Sequence, residues 1–108
     1  KGLDIRFLYS RECPSYEEAL QRLRQVIKEE GIDPSVEVFE VETREQAEKL
    51  RFLGSPTILI DGQDIDPQPN PQYALTCRAY RLEDGRISPL PSVEMIRGAL
   101  RSAIEKRS

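Results

Sequence analysis

The sequence contains no histidine and no tryptophan, and only two cysteines and one methionine among its 108 residues. Without histidine, neither a Ser-His-Asp nor a Cys-His nucleophile can be assembled, and most catalytic zinc sites lose a preferred ligand. Chemistry must therefore come from cysteine, carboxylates, tyrosine, arginine or the backbone. No apolar run approaches the ~20 residues that cross a bilayer. Lys1 to Tyr9 alternates apolar and polar residues instead of forming a continuous apolar stretch, so this segment is not expected to be a secretory signal. A cytoplasmic location with no membrane partner is the expectation. Nor is there an excess of charge of one sign: 16 Lys and Arg against 19 Asp and Glu leave −3, with the two signs interleaved. That is the pattern of solvated helix faces rather than of a basic stripe, so no nucleic-acid partner is expected.

What is present describes a small globular chain. Hydrophobic residues make up 38% and charged residues 32%, and the length suits one domain over 1–108. Leu3, Ile5, Phe7 and Tyr9 alternate with other residues as in a strand. Ser10 to Pro14 reads as a turn, and a helix follows with Tyr16, Ala19, Leu20, Leu23, Val26 and Ile27 at helical spacing. Pro14 suits its first turn, Glu17 and Glu18 suit the positive dipole end, and Gly31 closes it. Val36 to Val41 is a second strand. Thr43 and Gln46 form a capping-box pattern that opens a helix through Ala47, Leu50 and Leu53, with Gly54 as its end. Thr57 to Ile60 is a buried strand stopped by Asp61-Gly62, and Gln63 to Ile65 is its return.

Asp66 to Gln72 is a proline-rich loop, and Leu75 to Leu82 is strand-like. Asp84-Gly85 then turns the chain into Arg86 to Ser88. Ser92 caps a last helix bearing Val93, Ile96, Ala99, Leu100, Ala103 and Ile104 on one side. This order predicts an α/β fold: a mixed four-stranded sheet flanked by helices, with a right-handed parallel crossover at its start. A hairpin and loop, about 66–91, are inserted before the C-terminal helix.

Three segments carry a family resemblance. Cys13-Pro14-Ser15-Tyr16 follows the first strand where thioredoxins carry C-x-x-C. Gly54-Ser55-Pro56-Thr57 is similar to their cis-proline segment, and Ile60 to Ile65 resembles the strand–turn–strand hairpin of glutaredoxins. The whole chain most resembles small bacterial thioredoxin-like proteins sometimes named alongside alkylmercury lyases, some of which carry selenocysteine at the position of Cys13. The supporting segments are Glu12-Cys13-Pro14, Phe52 to Thr57 and Thr76 to Tyr80. The resemblance implies a thioredoxin-like fold, a cis Ser55–Pro56 bond beside the thiol, and a substrate groove formed by Pro14, Tyr16, Ser55 and Pro56. The segment from Asp66 to Pro91 does not match a plain glutaredoxin. Asp66-Pro67-Gln68 stands where glutaredoxins carry their glutathione-gripping glycines, so glutathione recognition is not implied.

Independently of any family, a thiol where a helix begins faces unpaired backbone N–H groups and the positive dipole end, both of which favour thiolate. Such positions lower a cysteine pKa from ~8.5 into the range of roughly 3.5–7.5. Arg11 would add to this if turned inward, and Glu12 would oppose it. The bland alternative is that Cys13 fills space as a small hydrophobe. Tyr16 replaces the second cysteine of the dithiol motif, so a mixed disulfide on Cys13 needs another thiol to resolve it.

Cys77, 64 positions away, is the candidate within the chain. Its alternatives are an inert buried thiol in a strand or, less expected for a cytoplasmic location, half of a structural disulfide. The function these residues suggest is thiol–disulfide exchange with Cys13 as nucleophile, no cofactor, and a protein or small-molecule thiol or disulfide as partner. Two other readings stay open. One is a soft-metal or organomercurial site built from Cys13 and Cys77, and the other is a redox-inactive binding module. Arg78 and Arg81 read as solvated strand residues more readily than as an anion site. Asp61, Asp64 and Asp66 lack the ligand spacing of a calcium loop.

Overall fold

The computed structural model describes residues 2–107. Within them the chain is mixed α/β, with three helices and a four-stranded sheet in the order β2-β1-β3-β4. Strand β1 (Asp4–Tyr9) leads through α1 (Tyr16–Glu30) to β2 (Ser35–Glu40), which pairs with β1 in parallel. After α2 (Arg44–Leu50), β3 (Thr57–Ile60) lies antiparallel on the other side of β1, and β4 (Gln63–Asp64) pairs antiparallel with β3. A small separate hairpin, β5 (Tyr80–Arg81) with β6 (Ile87–Ser88), precedes α3 (Val93–Arg107). No helix among the described residues is long and apolar enough to cross a membrane.

Alternation along β1 assigns the two faces of the sheet. Ile5 and Phe7 point to the side of α1 and α3, where Leu23, Val26, Ile58, Ile96 and Leu100 complete the larger core. Leu8 points the other way and meets Val41, Ala47, Phe52 and Leu59 beneath α2. Every residue of β3 is buried, as expected of a strand covered on both sides. Asp61 and Gly62 both have positive φ, the backbone that lets a two-residue turn follow the twist of β3 and β4.

Capping follows the sequence. The Gln46 N–H donates to Thr43 Oγ1 at 3.1 Å, and Gln46 Oε1 accepts from the Glu42 N–H at 2.7 Å. Ser92 Oγ accepts from the Met95 N–H at 3.0 Å at the start of α3.

The end of α2 and the strand expected before Leu82 differ most from expectation. Helix α2 stops at Leu50 rather than at Gly54, with Arg51 in the left-handed conformation as its cap. One more turn would have set Arg51, four residues after the buried Ala47, against the sheet; stopping early turns Phe52 inward instead. Of the strand expected over Leu75 to Leu82, only Tyr80–Arg81 pairs with β6. The hydrogen bonds of its first half go to the segment before β3, leaving a single parallel bridge between Ser55 and Cys77. The insertion therefore folds back as an arm onto the domain.

Candidate redox site at the end of the central strand

The site forms where β1 ends. Beyond Tyr9 the chain turns sharply: the Cys13 N–H donates to the Ser10 carbonyl at 3.1 Å, and the Tyr16 N–H to the Cys13 carbonyl at 3.4 Å. Helix α1 opens at Tyr16 with Ser15 as its cap, so Cys13 and Pro14 stand just ahead of the first helical turn rather than inside it. Glu17 and Glu18 follow in that turn. Ser55 fastens this turn to the segment entering β3, since its Oγ accepts from the Ser10 N–H at 2.9 Å. The Ser55–Pro56 bond is cis.

Cys13 and Cys77 are joined by a disulfide, with their Cα atoms 5.8 Å apart. The bond is set up by backbone pairing. The Ser55 N–H donates to the Thr76 carbonyl at 2.8 Å, and the Ser55 carbonyl accepts from the Arg78 N–H at 3.0 Å. Cys77 lies between these contacts, directly opposite Ser55 and within reach of Cys13. Gly54 permits the approach. Its φ is +139°, and a Cβ there would sit 3.0 Å from the Arg78 nitrogen and 3.1 Å from the Cys77 carbonyl carbon.

The arm is locked by Arg78. Its guanidinium, with a side chain only 4% exposed, grips Asp64 through two bonds of 2.9 and 3.0 Å. It also donates to the Asp66 carbonyl at 2.7 Å and to Thr57 Oγ1 at 3.4 Å, and it lies over the Tyr80 ring. Burial pulls the Arg78 pKa down, but the hydrogen bonds to Asp64 and the neighbouring negative charge more than offset this. The Tyr80 hydroxyl donates to the Pro56 carbonyl, and burial pushes its pKa well above the ordinary phenol value.

The structure changes several expectations. Cys13 is 4% exposed, whereas Cys77, expected as a resolving or inert buried thiol, is exposed and bonded. The anticipated groove is not open: Pro14 is exposed and Tyr16 half-buried, but Ser55 and Pro56 are buried, with Ser55's backbone already paired to the arm. Tyr16 stacks on Tyr9 with ring centroids 4.2 Å apart, a packing role. Burial, then the nearby Glu40 carboxylate, raises the Tyr9 pKa. Arg11 does not face the sulfur; it pairs with Glu40 at 3.3 Å on the surface.

Arg78 is not a solvated strand residue, and Asp64 is its counter-ion. Sequence reasoning missed this pair because nothing local marks two residues 14 positions apart as partners. No group of three or more His, Cys, Asp or Glu side chains suited to a metal ion occurs among the described residues. A cleft of about 710 Å³, lined by Asp4, Arg6, Glu37 and Asp61 among others, lies at the opposite end of β1 and takes no part in this site.

No protein-family model matches the chain, and neither does any curated protein.

Proposed function

We propose that this chain is a thioredoxin-like protein of thiol–disulfide exchange, and that its redox couple is Cys13 with Cys77. The observation that carries this reading is the disulfide itself. It joins the start of α1 to an exposed residue of the inserted arm, beside the cis Ser55–Pro56 bond. A helix start stabilises a thiolate, which makes Cys13 a good leaving group when the bond is attacked. An exposed Cys77 gives an outside thiol somewhere to attack.

With Tyr16 in the place of the usual second cysteine, the couple spans the domain and its insertion instead of one helical turn. In the oxidised form the disulfide takes two electrons from a substrate dithiol, leaving Cys13 and Cys77 as thiols and the substrate as a disulfide. The reverse reaction reduces a substrate disulfide.

The test is multiple turnover: transfer of oxidising equivalents from hydroxyethyl disulfide to a peptide dithiol, with catalytic amounts of protein. The wild-type chain is expected to accelerate the transfer, and Cys13→Ser and Cys77→Ser each to abolish the acceleration. Undiminished rates in Cys13→Ser would remove the reading.

A further inference from the structure

We infer that the inserted arm fills the groove of its own active site as a bound substrate strand would, so the disulfide is opened at Cys77 by small thiols. This rests on the exchange function proposed above and adds to it the atom attacked and the class of reductant.

An extended polypeptide laid beside Pro56 would need the N–H and C=O of Ser55 for its backbone. Both are taken, by the Thr76 carbonyl at 2.8 Å and the Arg78 N–H at 3.0 Å. The neighbouring carbonyls are taken as well: Phe52 accepts from the Ala74 N–H, and Pro56 accepts from the Tyr80 hydroxyl. The arm thus occupies the edge that strand addition would use. Arg78 and its bidentate bond to Asp64 hold it there, and a partner strand would have to break that buried pair to enter.

What remains reachable is the exposed Cys77. Cys13 is only 4% exposed. The chemistry then has a fixed direction. An incoming thiolate bonds to Cys77 Sγ, the Cys13–Cys77 bond breaks, and its electron pair leaves on Cys13 Sγ at the start of α1. A second thiolate attacks the incoming sulfur of the mixed disulfide and releases Cys77 as thiolate with the small disulfide. Two thiols are oxidised and one protein disulfide is reduced. In the reverse direction Cys77 meets the substrate and the buried Cys13 closes the bond, which exchanges the roles the sequence suggests for the two residues.

Two measurements on the oxidised wild-type protein test this. In the first, a brief exposure to 2-mercaptoethanol is quenched in acid with N-ethylmaleimide, and the cysteines are mapped by mass spectrometry. Mercaptoethanol on Cys77 and maleimide on Cys13 are expected, in at least about tenfold excess over the reverse, because access selects the sulfur attacked. The reverse labelling, or a smaller excess, overturns the assignment.

In the second, N-acetylcysteine methylamide is compared as reductant with a capped peptide carrying cysteine at its centre. With the edge occupied, the peptide backbone gains nothing, and the two rates are expected to agree within about fivefold; a larger advantage for the peptide means that a backbone groove is in use. Both measurements use stoichiometric reagent. A chain that fails to turn over substrate still reports its attack site, so the two readings can fail separately.

Discussion

Replacing Arg78 is the sharpest stability test of the arm. The guanidinium makes two bonds to Asp64, one to the Asp66 carbonyl and one to Thr57 Oγ1, and it lies 4.6 Å from the centre of the Tyr80 ring. Arg78→Ala strands the Asp64 carboxylate, whose side chain is 10% exposed, without its cation. Breaking a buried ion pair in this way typically costs about 3–5 kcal/mol. The lower half of that range applies, because the Asp66 N–H still donates to Asp64 Oδ1 at 2.8 Å. Arg78→Lys keeps the charge but not the planar fork, and is expected to lose about half as much. Removing both charges, as in Arg78→Met with Asp64→Leu, is expected to recover most of the loss, because no unpaired buried charge remains. Urea unfolding of the oxidised proteins, with midpoints compared at constant slope, supplies the numbers. A loss below about 1 kcal/mol for Arg78→Ala, within the range of exposed pairs, would refute the claim that this pair locks the arm.

Other consequences are equally direct. Gly54→Ala puts a methyl against the Arg78 and Cys77 backbone at a φ of +139°, so a loss of roughly 1–3 kcal/mol is expected in the same urea assay. Tyr80 gives a pH signature. Its unfolded phenol ionises near 10, while burial raises the folded value, so above that pH the folded state holds more protons and stability falls as pH rises. Urea midpoints at pH 8 and 10.5 should therefore diverge in the wild type and less in Tyr80→Phe, where the raised Tyr9 still contributes; that variant itself loses about 1 kcal/mol of hydrogen bonding at neutral pH. Reduction frees a loop closed across a 64-residue separation, and chain entropy puts the expected loss of stability at about 4 kcal/mol. Equal urea midpoints with and without dithiothreitol would contradict that expectation.

The parts legible in the sequence are those governed by neighbours along the chain. Alternation marks β1, helical spacing marks α1 and α3, Thr43 and Ser92 mark helix starts, and Asp61-Gly62 marks the hairpin. Cys13 stands out as a thiol where a helix begins, whereas Pro56 is picked out only by the resemblance of Gly54 to Thr57 to a cis-proline segment. The arm is different. A single parallel bridge between Ser55 and Cys77 leaves no periodic pattern, and four alternating residues before Tyr80 look like a strand whatever they pair with. Arg78 is hidden by its own chemistry, since arginine is nearly always solvated unless a partner is buried with it. The sequence offers Cys77 only as one candidate partner for Cys13, and the 5.8 Å between Cα atoms is within the span a disulfide bridges.

Whether that bond exchanges or merely braces the fold is decided by its reduction potential. Equilibrating the protein in graded mixtures of reduced and oxidised glutathione, trapping thiols in acid and counting them by mass gives the value. An exchanging couple with a stabilised Cys13 thiolate is expected above about −300 mV, in the range of thiol–disulfide catalysts. A bond still closed at potentials below that limit is a structural brace, and the exchange chemistry assigned to Cys13 and Cys77 would not stand.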